Sequence, residues 1–156
     1  MKKVFLSLLI VFCIILLTGC GSKVDYDNSP RVVCQKTEST SEGSVYSRYT
    51  LLFDKNDKLT HFKADVDIAY SQEMPKEAIS VTERAMKLIG LTPGIDFESN
   101  ISEHELRFSF AGKVKMLKTI MMQLNNNYDE NSITGDTKQE ALKEFTSSGH
   151  TCETFE

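Results

Sequence analysis

The sequence predicts an α+β domain in which an antiparallel sheet of about five to six strands carries about three helices packed on one face. Two observations lead there. Residues 45–53 and 61–70 alternate apolar and polar side chains on either side of the turn cluster Asp54-Lys55-Asn56-Asp57-Lys58, the pattern of a hairpin with one apolar and one charged face. A charged face of that kind belongs to an antiparallel sheet that is covered on one side and wet on the other. Three other stretches, 75–90, 113–124 and 137–149, repeat apolar residues at helical spacing instead.

The elements follow in order. From Arg31 to Ser39 the β-prone Val32, Val33 and Thr37 form a first strand around Cys34, ended by the polar run Ser39 to Ser44. In Val45 to Phe53, Val45, Tyr49, Leu51 and Phe53 share one face, with Tyr46, Arg48 and Thr50 on the other. After the turn cluster, Phe62, Ala64, Val66, Ile68 and Tyr70 alternate with His61, Lys63, Asp65 and Asp67. Pro75 suits a first helical turn, Ala78, Val81, Ala85 and Leu88 recur at helical spacing, and Gly90 closes the helix. Ile95, Phe97 and Ile101 form a short strand and Leu106, Phe108 and Phe110 a stronger one, joined by Ser99 to Glu103 in a second hairpin. Lys113 to Leu124 reads as a helix through Val114, Leu117, Met121 and Leu124, and Asn125 to Gly135 as a polar loop. Thr137 and Glu140 form a capping box for a last helix whose Ala141, Leu142 and Phe145 point inward and which ends at Gly149. Thr151 to Thr154 then adds an edge strand beside the first.

The 156 residues divide into a signal, 1–19, a tether, 20–30, and one domain, 31–156, enough for a single modest core. Composition is 40% apolar and 26% charged without Trp, which excludes a disordered chain and a multi-span membrane protein. The formal net charge is −4 and becomes more acidic once Lys2 and Lys3 leave with the signal, which argues against general affinity for nucleic acid or anionic lipid.

The run Val4 to Leu17, apolar but for Ser7, is too short to span a bilayer and follows Lys2 and Lys3 as the core of an export signal. Its end, Leu17-Thr18-Gly19-Cys20, resembles the lipobox of bacterial lipoproteins. That resemblance implies that Cys20 is lipidated and becomes the N-terminus, anchoring the chain to the cell membrane with its domain outside the cytoplasm. Two acyl chains on the thioether glycerol hold a protein stably, where one is marginal. The polar Gly21 to Pro30 suits a short tether.

With Cys13 removed and Cys20 alkylated, Cys34 and Cys152 remain near opposite ends of an exported domain and read as a disulfide. Two buried reduced thiols are the alternative. Two sulfurs without nearby His partners do not make a zinc set, and no Cys-x-x-Cys is present for redox chemistry.

The lipobox, the early strand with a single Cys, the strand-turn-strand Phe53-Asp54-Lys55-Asn56-Asp57-Lys58 and a last helix leading into Gly149-His150-Thr151-Cys152 together resemble the YehR-like small bacterial lipoproteins. The resemblance covers most of the mature chain. It implies an α+β envelope domain and brings no catalytic residues with it.

Chemistry-bearing motifs are sparse. Glu103-His104-Glu105 lacks the second His that a helical zinc protease needs four residues on, and the stretch reads as strand. Asp129-Glu130-Asn131 fails as a calcium loop because Ile133 takes a ligand position and Gly135 is displaced by one. Met116, Met121 and Met122 fit core filling better than an adaptable groove. Asn100-Ile101-Ser102 matches a glycosylation acceptor, but the lipobox implies a bacterium and a hairpin turn explains Asn100 without modification. No nucleophile elbow, phosphate loop or dinucleotide fingerprint occurs. The leading expectation is a non-enzymatic envelope lipoprotein, without cofactor, that binds an envelope protein or a small ligand. The alternative is a hydrolase acting on envelope material through Asp65, Asp67 and His61, and a third reading is metal capture at His104.

Overall fold

A computed structural model describes residues 24–116 and 137–156. Six strands, β1 (Arg31–Thr40), β2 (Gly43–Phe53), β3 (Leu59–Tyr70), β4 (Ile95–Ile101), β5 (Glu105–Lys113) and β6 (Thr151–Phe155), form one sheet in the order β4-β5-β3-β2-β1-β6. Every neighbouring pair is antiparallel. Two helices are described, α1 (Lys76–Gly90) between β3 and β4, and α2 (Lys138–Ser147) before β6. The fold is therefore α+β and dominated by its sheet. The Asn125 to Gly135 loop lies outside the described residues, as does the expected helix beyond Met116, while Val114 to Met116 take up helical geometry directly after β5.

Turn chemistry sets the register. Asp54 accepts hydrogen bonds on Oδ1 from the backbone N–H of Asn56 (2.8 Å) and Lys58 (2.9 Å), closing the β2–β3 turn around Asp57, which has a φ of 59°. These donors hold the Asp54 carboxyl below its usual range. The β1–β2 connection is tighter than the polar run Ser39 to Ser44 implies, since Thr40 already pairs with Gly43. Gly43 is required there. Its φ is 149°, and a Cβ would stand 2.0 Å from the carbonyl oxygen of Ala69 on β3.

The register puts Val32, Cys34, Tyr49, Leu51, Phe62, Ala64, Phe110 and Phe97 on one face of the sheet. On it sits the core, where Ala141 and Phe145 of α2 and Val114 pack with Val32, Cys34, Leu51, Phe62 and Ala64. Tyr49 is the hub, with ring centroids 5.7 Å from Phe62, 5.0 Å from Phe145 and 5.4 Å from His150. The capping box forms as the sequence predicts: Thr137 Oγ1 accepts from the Glu140 N–H, and the Glu140 carboxylate accepts from the Thr137 N–H. At the other end Gly149 has a φ of 85°, the His150 N–H reaches the Phe145 carbonyl and the Gly149 N–H the Thr146 carbonyl, which is a Schellman ending. That ending turns the chain into β6. There Cys152 lies directly opposite Cys34, and the two are joined by a disulfide.

The expectation of helices packed together on one face holds for α2 and only loosely for α1. Gly90 of α1 closes on Phe97, on the same face as the core, yet no α1 residue is buried. Ile79, Thr82 and Met86 are its half-buried side, while Ala78, Val81, Ala85 and Leu88, the residues whose spacing predicts the helix, are exposed. The helix is real, but that stripe does not meet the sheet.

Candidate functional site

The opposite face is not uniformly wet. It displays His61, Lys63, Asp65, Asp67 and Arg107, but Val33, Thr50, Leu52 and Ala111 are buried on it. The segment 24–30, expected as a tether, lies against this face. Val24, Asp25, Tyr26 and Asp27 enclose a groove of about 500 Å³ together with Lys63, Asp96, Glu98, Ser109 and Ala111. The Asp25 carboxylate accepts from the N–H groups of Asp27 and Asn28 and from the Asn28 amide, folding the segment into a turn and lowering the Asp25 pKa. Tyr26 is half-buried, and its hydroxyl donates to the Phe62 carbonyl at 3.4 Å. Burial, and then the nearby Asp96 carboxylate, raise its pKa.

The residues proposed for hydrolysis are not brought together. His61 and Asp65 share one face of β3 but are four residues apart, about 13 Å at the rise of a strand. Asp65 pairs with Lys63 at 3.3 Å, Asp67 with Arg107 at 3.7 Å, and His61 Nδ1 lies 3.1 Å from the Thr60 hydroxyl. Burial, and then Lys113, lower the His61 pKa. His104 is likewise separated from its sequence neighbour, because Glu105 turns to Arg107 at 2.6 Å while His104 faces Glu73 at 3.7 Å. Among the described residues no group of three or more His, Cys, Asp or Glu side chains is arranged to hold a metal ion. Asn100 lies in β4 rather than in the hairpin turn, which is formed by Ser102 to His104. Cys20, Asp129 to Asn131, Met121 and Met122 lie outside the described residues. Among the described residues no helix is long and apolar enough to cross a membrane.

The surface that stands out is α1. Val81 is 66% exposed, Leu88 70% and Leu91, just past the helix, 77%. With Ala78 and Ala85 these residues form an apolar stripe flanked by Glu77, Arg84 and Lys87. Scattered exposed apolar residues are ordinary on any protein, whereas here several share one side of a single helix. A second, smaller groove of about 430 Å³ is lined by Gln35, Lys36, Thr37, Tyr46, Gly149 and Thr151 and is mostly polar.

Two of these features escaped the sequence reading. Tyr26 is the lone aromatic between Cys20 and Pro30, which was the available signal that the tether docks. In α1, Ile79, Met86 and Ile89 lie beside Ala78, Val81, Ala85 and Leu88, an apolar arc wider than one sheet edge covers. A comparison with family models, curated proteins and solved structures finds no match to this chain.

Proposed function

We propose that this chain is a lipid-anchored lipoprotein of a bacterial envelope, of the YehR-like kind, whose domain binds a protein partner through α1 and does no catalysis. The Leu17-Thr18-Gly19-Cys20 ending supports the anchor, and a disulfide between Cys34 and Cys152 suits an oxidising compartment outside the cytoplasm. One observation carries the binding reading: α1 has fifteen residues, none of them buried, and a stripe of apolar side chains open to solvent. A helix of that length is marginal by itself in water, and covering the stripe with a partner recovers about 25 cal/mol for each Å² of apolar surface removed. The fuller architecture of about three helices on one face belongs to the same proposal, supported by the helical spacing of Val114, Leu117, Met121 and Leu124 and by the burial of Val114.

The experiment is site-specific photo-crosslinking in the native host. A crosslinker in place of Leu88 should yield one discrete intermolecular adduct that Val81→Asp abolishes, and a crosslinker in place of Glu153 on β6 should not yield it. An internal crosslink from position 88 into residues 117–124 would show that the chain covers its own stripe and would overturn the partner reading. The anchor is tested separately, since Cys20→Ser should abolish lipid labelling and release the protein from the membrane.

A further inference from the structure

We infer that the anchored domain has a fixed orientation, with the charged face of the sheet turned to the lipid surface and α1 turned away from it. The inference rests on the lipid anchor at Cys20 proposed above. It follows from where the chain leaves the domain. Val24 to Asp27 are held against the charged face beside Lys63, Asp96, Glu98, Ser109 and Ala111. Tyr26 is half-buried there with its hydroxyl 3.4 Å from the Phe62 carbonyl, and Asp25 closes the turn that leads into β1. Only four peptide steps separate Val24 from Cys20, a reach of at most about 14 Å when fully extended. A thioether lipid on Cys20 therefore brings the headgroups within that distance of the groove.

The same strand shows which way the rest of the domain points. Asp96 of β4 lines the groove, while Phe97, the next residue, meets Gly90 of α1. Successive residues of a strand point to opposite faces, so the anchoring point and α1 lie on opposite sides of β4. The groove carries Asp25, Asp27, Asp96 and Glu98 against Lys63, which is already paired with Asp65. That excess of carboxylates disfavours adsorption onto anionic headgroups, so the short docked segment, rather than lipid contact, sets the orientation. An apolar stripe on α1 held away from the bilayer is available to a protein and not to acyl chains.

The test uses the lipidated full chain in phosphatidylethanolamine and phosphatidylglycerol vesicles carrying a headgroup-attached nitroxide quencher. A fluorophore is placed through Glu98→Cys on the charged face or through Lys87→Cys on α1. Both positions are exposed. The inference expects several-fold stronger quenching at position 98 than at 87. A ten-residue Gly-Ser insertion after Lys23, which leaves every described contact in place, lengthens the tether to a mean span of about 20 Å and should bring the two signals together. Tyr26→Ala should do the same by releasing the segment. Vesicle flotation with equal quenching in the parent protein, or stronger quenching at 87, overturns the orientation while leaving the anchor intact. Failure to float with the vesicles overturns the anchor and the orientation together.

Discussion

Breaking the Cys34–Cys152 bridge should be among the most damaging single changes to this fold. The two residues are separated by 118 positions, so the bond closes nearly the whole domain into one loop. The chain-entropy relation for a loop of that length gives about 4.9 kcal/mol of stabilisation, acting by restricting the unfolded chain. Single domains hold only about 5 to 15 kcal/mol in total, so the bridge decides whether the native state dominates. For a domain of this size each kcal/mol corresponds to about 3 to 5 °C in Tm, which predicts a fall of about 15 to 25 °C. Circular dichroism melts of the purified protein, with and without reductant, read this directly. The Cys34→Ala/Cys152→Ala variant should melt near the reduced protein and be indifferent to reductant. Cys34 is fully buried, so the variant carries a small additional packing loss on the core side. A denatured, unreduced sample should show no free thiol from either residue. Complete reduction that moves Tm by less than about 5 °C would refute the reasoning, because the unfolded chain would then have little entropy for the bridge to remove.

Gly43→Ala drives a methyl group into the Ala69 carbonyl and should lower stability by about 3 kcal/mol or abolish folding; urea melts that match the parent would contradict the hairpin geometry. Thr137→Ala removes the capping box of α2 and should cost about 1 kcal/mol in the same assay, with Thr137→Ser restoring most of it. Acidification should weaken the fold through two histidines. His150, packed edge-on to Phe145 and beside Tyr49, has its pKa lowered below 6.5 chiefly by burial, and His61 is lowered in the same direction by burial and by Lys113. Because the native state resists protonation at both sites, stability is full above their unfolded value of 6.5 and falls as pH drops through it toward the folded values. Urea midpoints measured from about pH 8 to about pH 5.5 should therefore decline, and the His61→Gln/His150→Gln variant should lose that part of the slope.

Most of the sheet was legible because its signals are local. Strict alternation in β3 and β5, the Asp54-to-Lys58 turn and the Thr137–Glu140 box each depend on residues within a few positions of one another, and each folds as that pattern dictates. The pairing of β6 with β1 was legible for a different reason: once Cys13 and Cys20 are assigned to the expected signal and lipobox, the pairing of Cys34 with Cys152 supplies the long-range contact that periodicity cannot. What stayed hidden was which side of an element meets which neighbour. The stripe in α1 and the buried patch of Val33, Thr50, Leu52 and Ala111 depend on surfaces contributed by distant segments.

The arrangement of chemistry-bearing side chains failed to follow from sequence proximity for the same physical reason. His61, Asp65 and Asp67 look clustered as letters, yet an extended strand separates them at about 3.3 Å per residue and neighbouring strands supply their partners, so Arg107 of β5 reaches Asp67 where His61 does not. On a helix the same four-residue spacing would have stacked them on one face. In α1 that rule works in the other direction. Ala78, Val81, Ala85 and Leu88 are brought together by 3.6-residue periodicity into one apolar strip, on the opposite face of the sheet from the docked segment Val24 to Asp27. A helix that merely covered the sheet would concentrate its apolar residues on the sheet side. In α1 only Ile79 and Met86 are half-buried while Ala78, Val81, Ala85, Leu88 and Ile89 are exposed, so most of its apolar arc faces solvent, and this is what supports the proposal that another protein covers it.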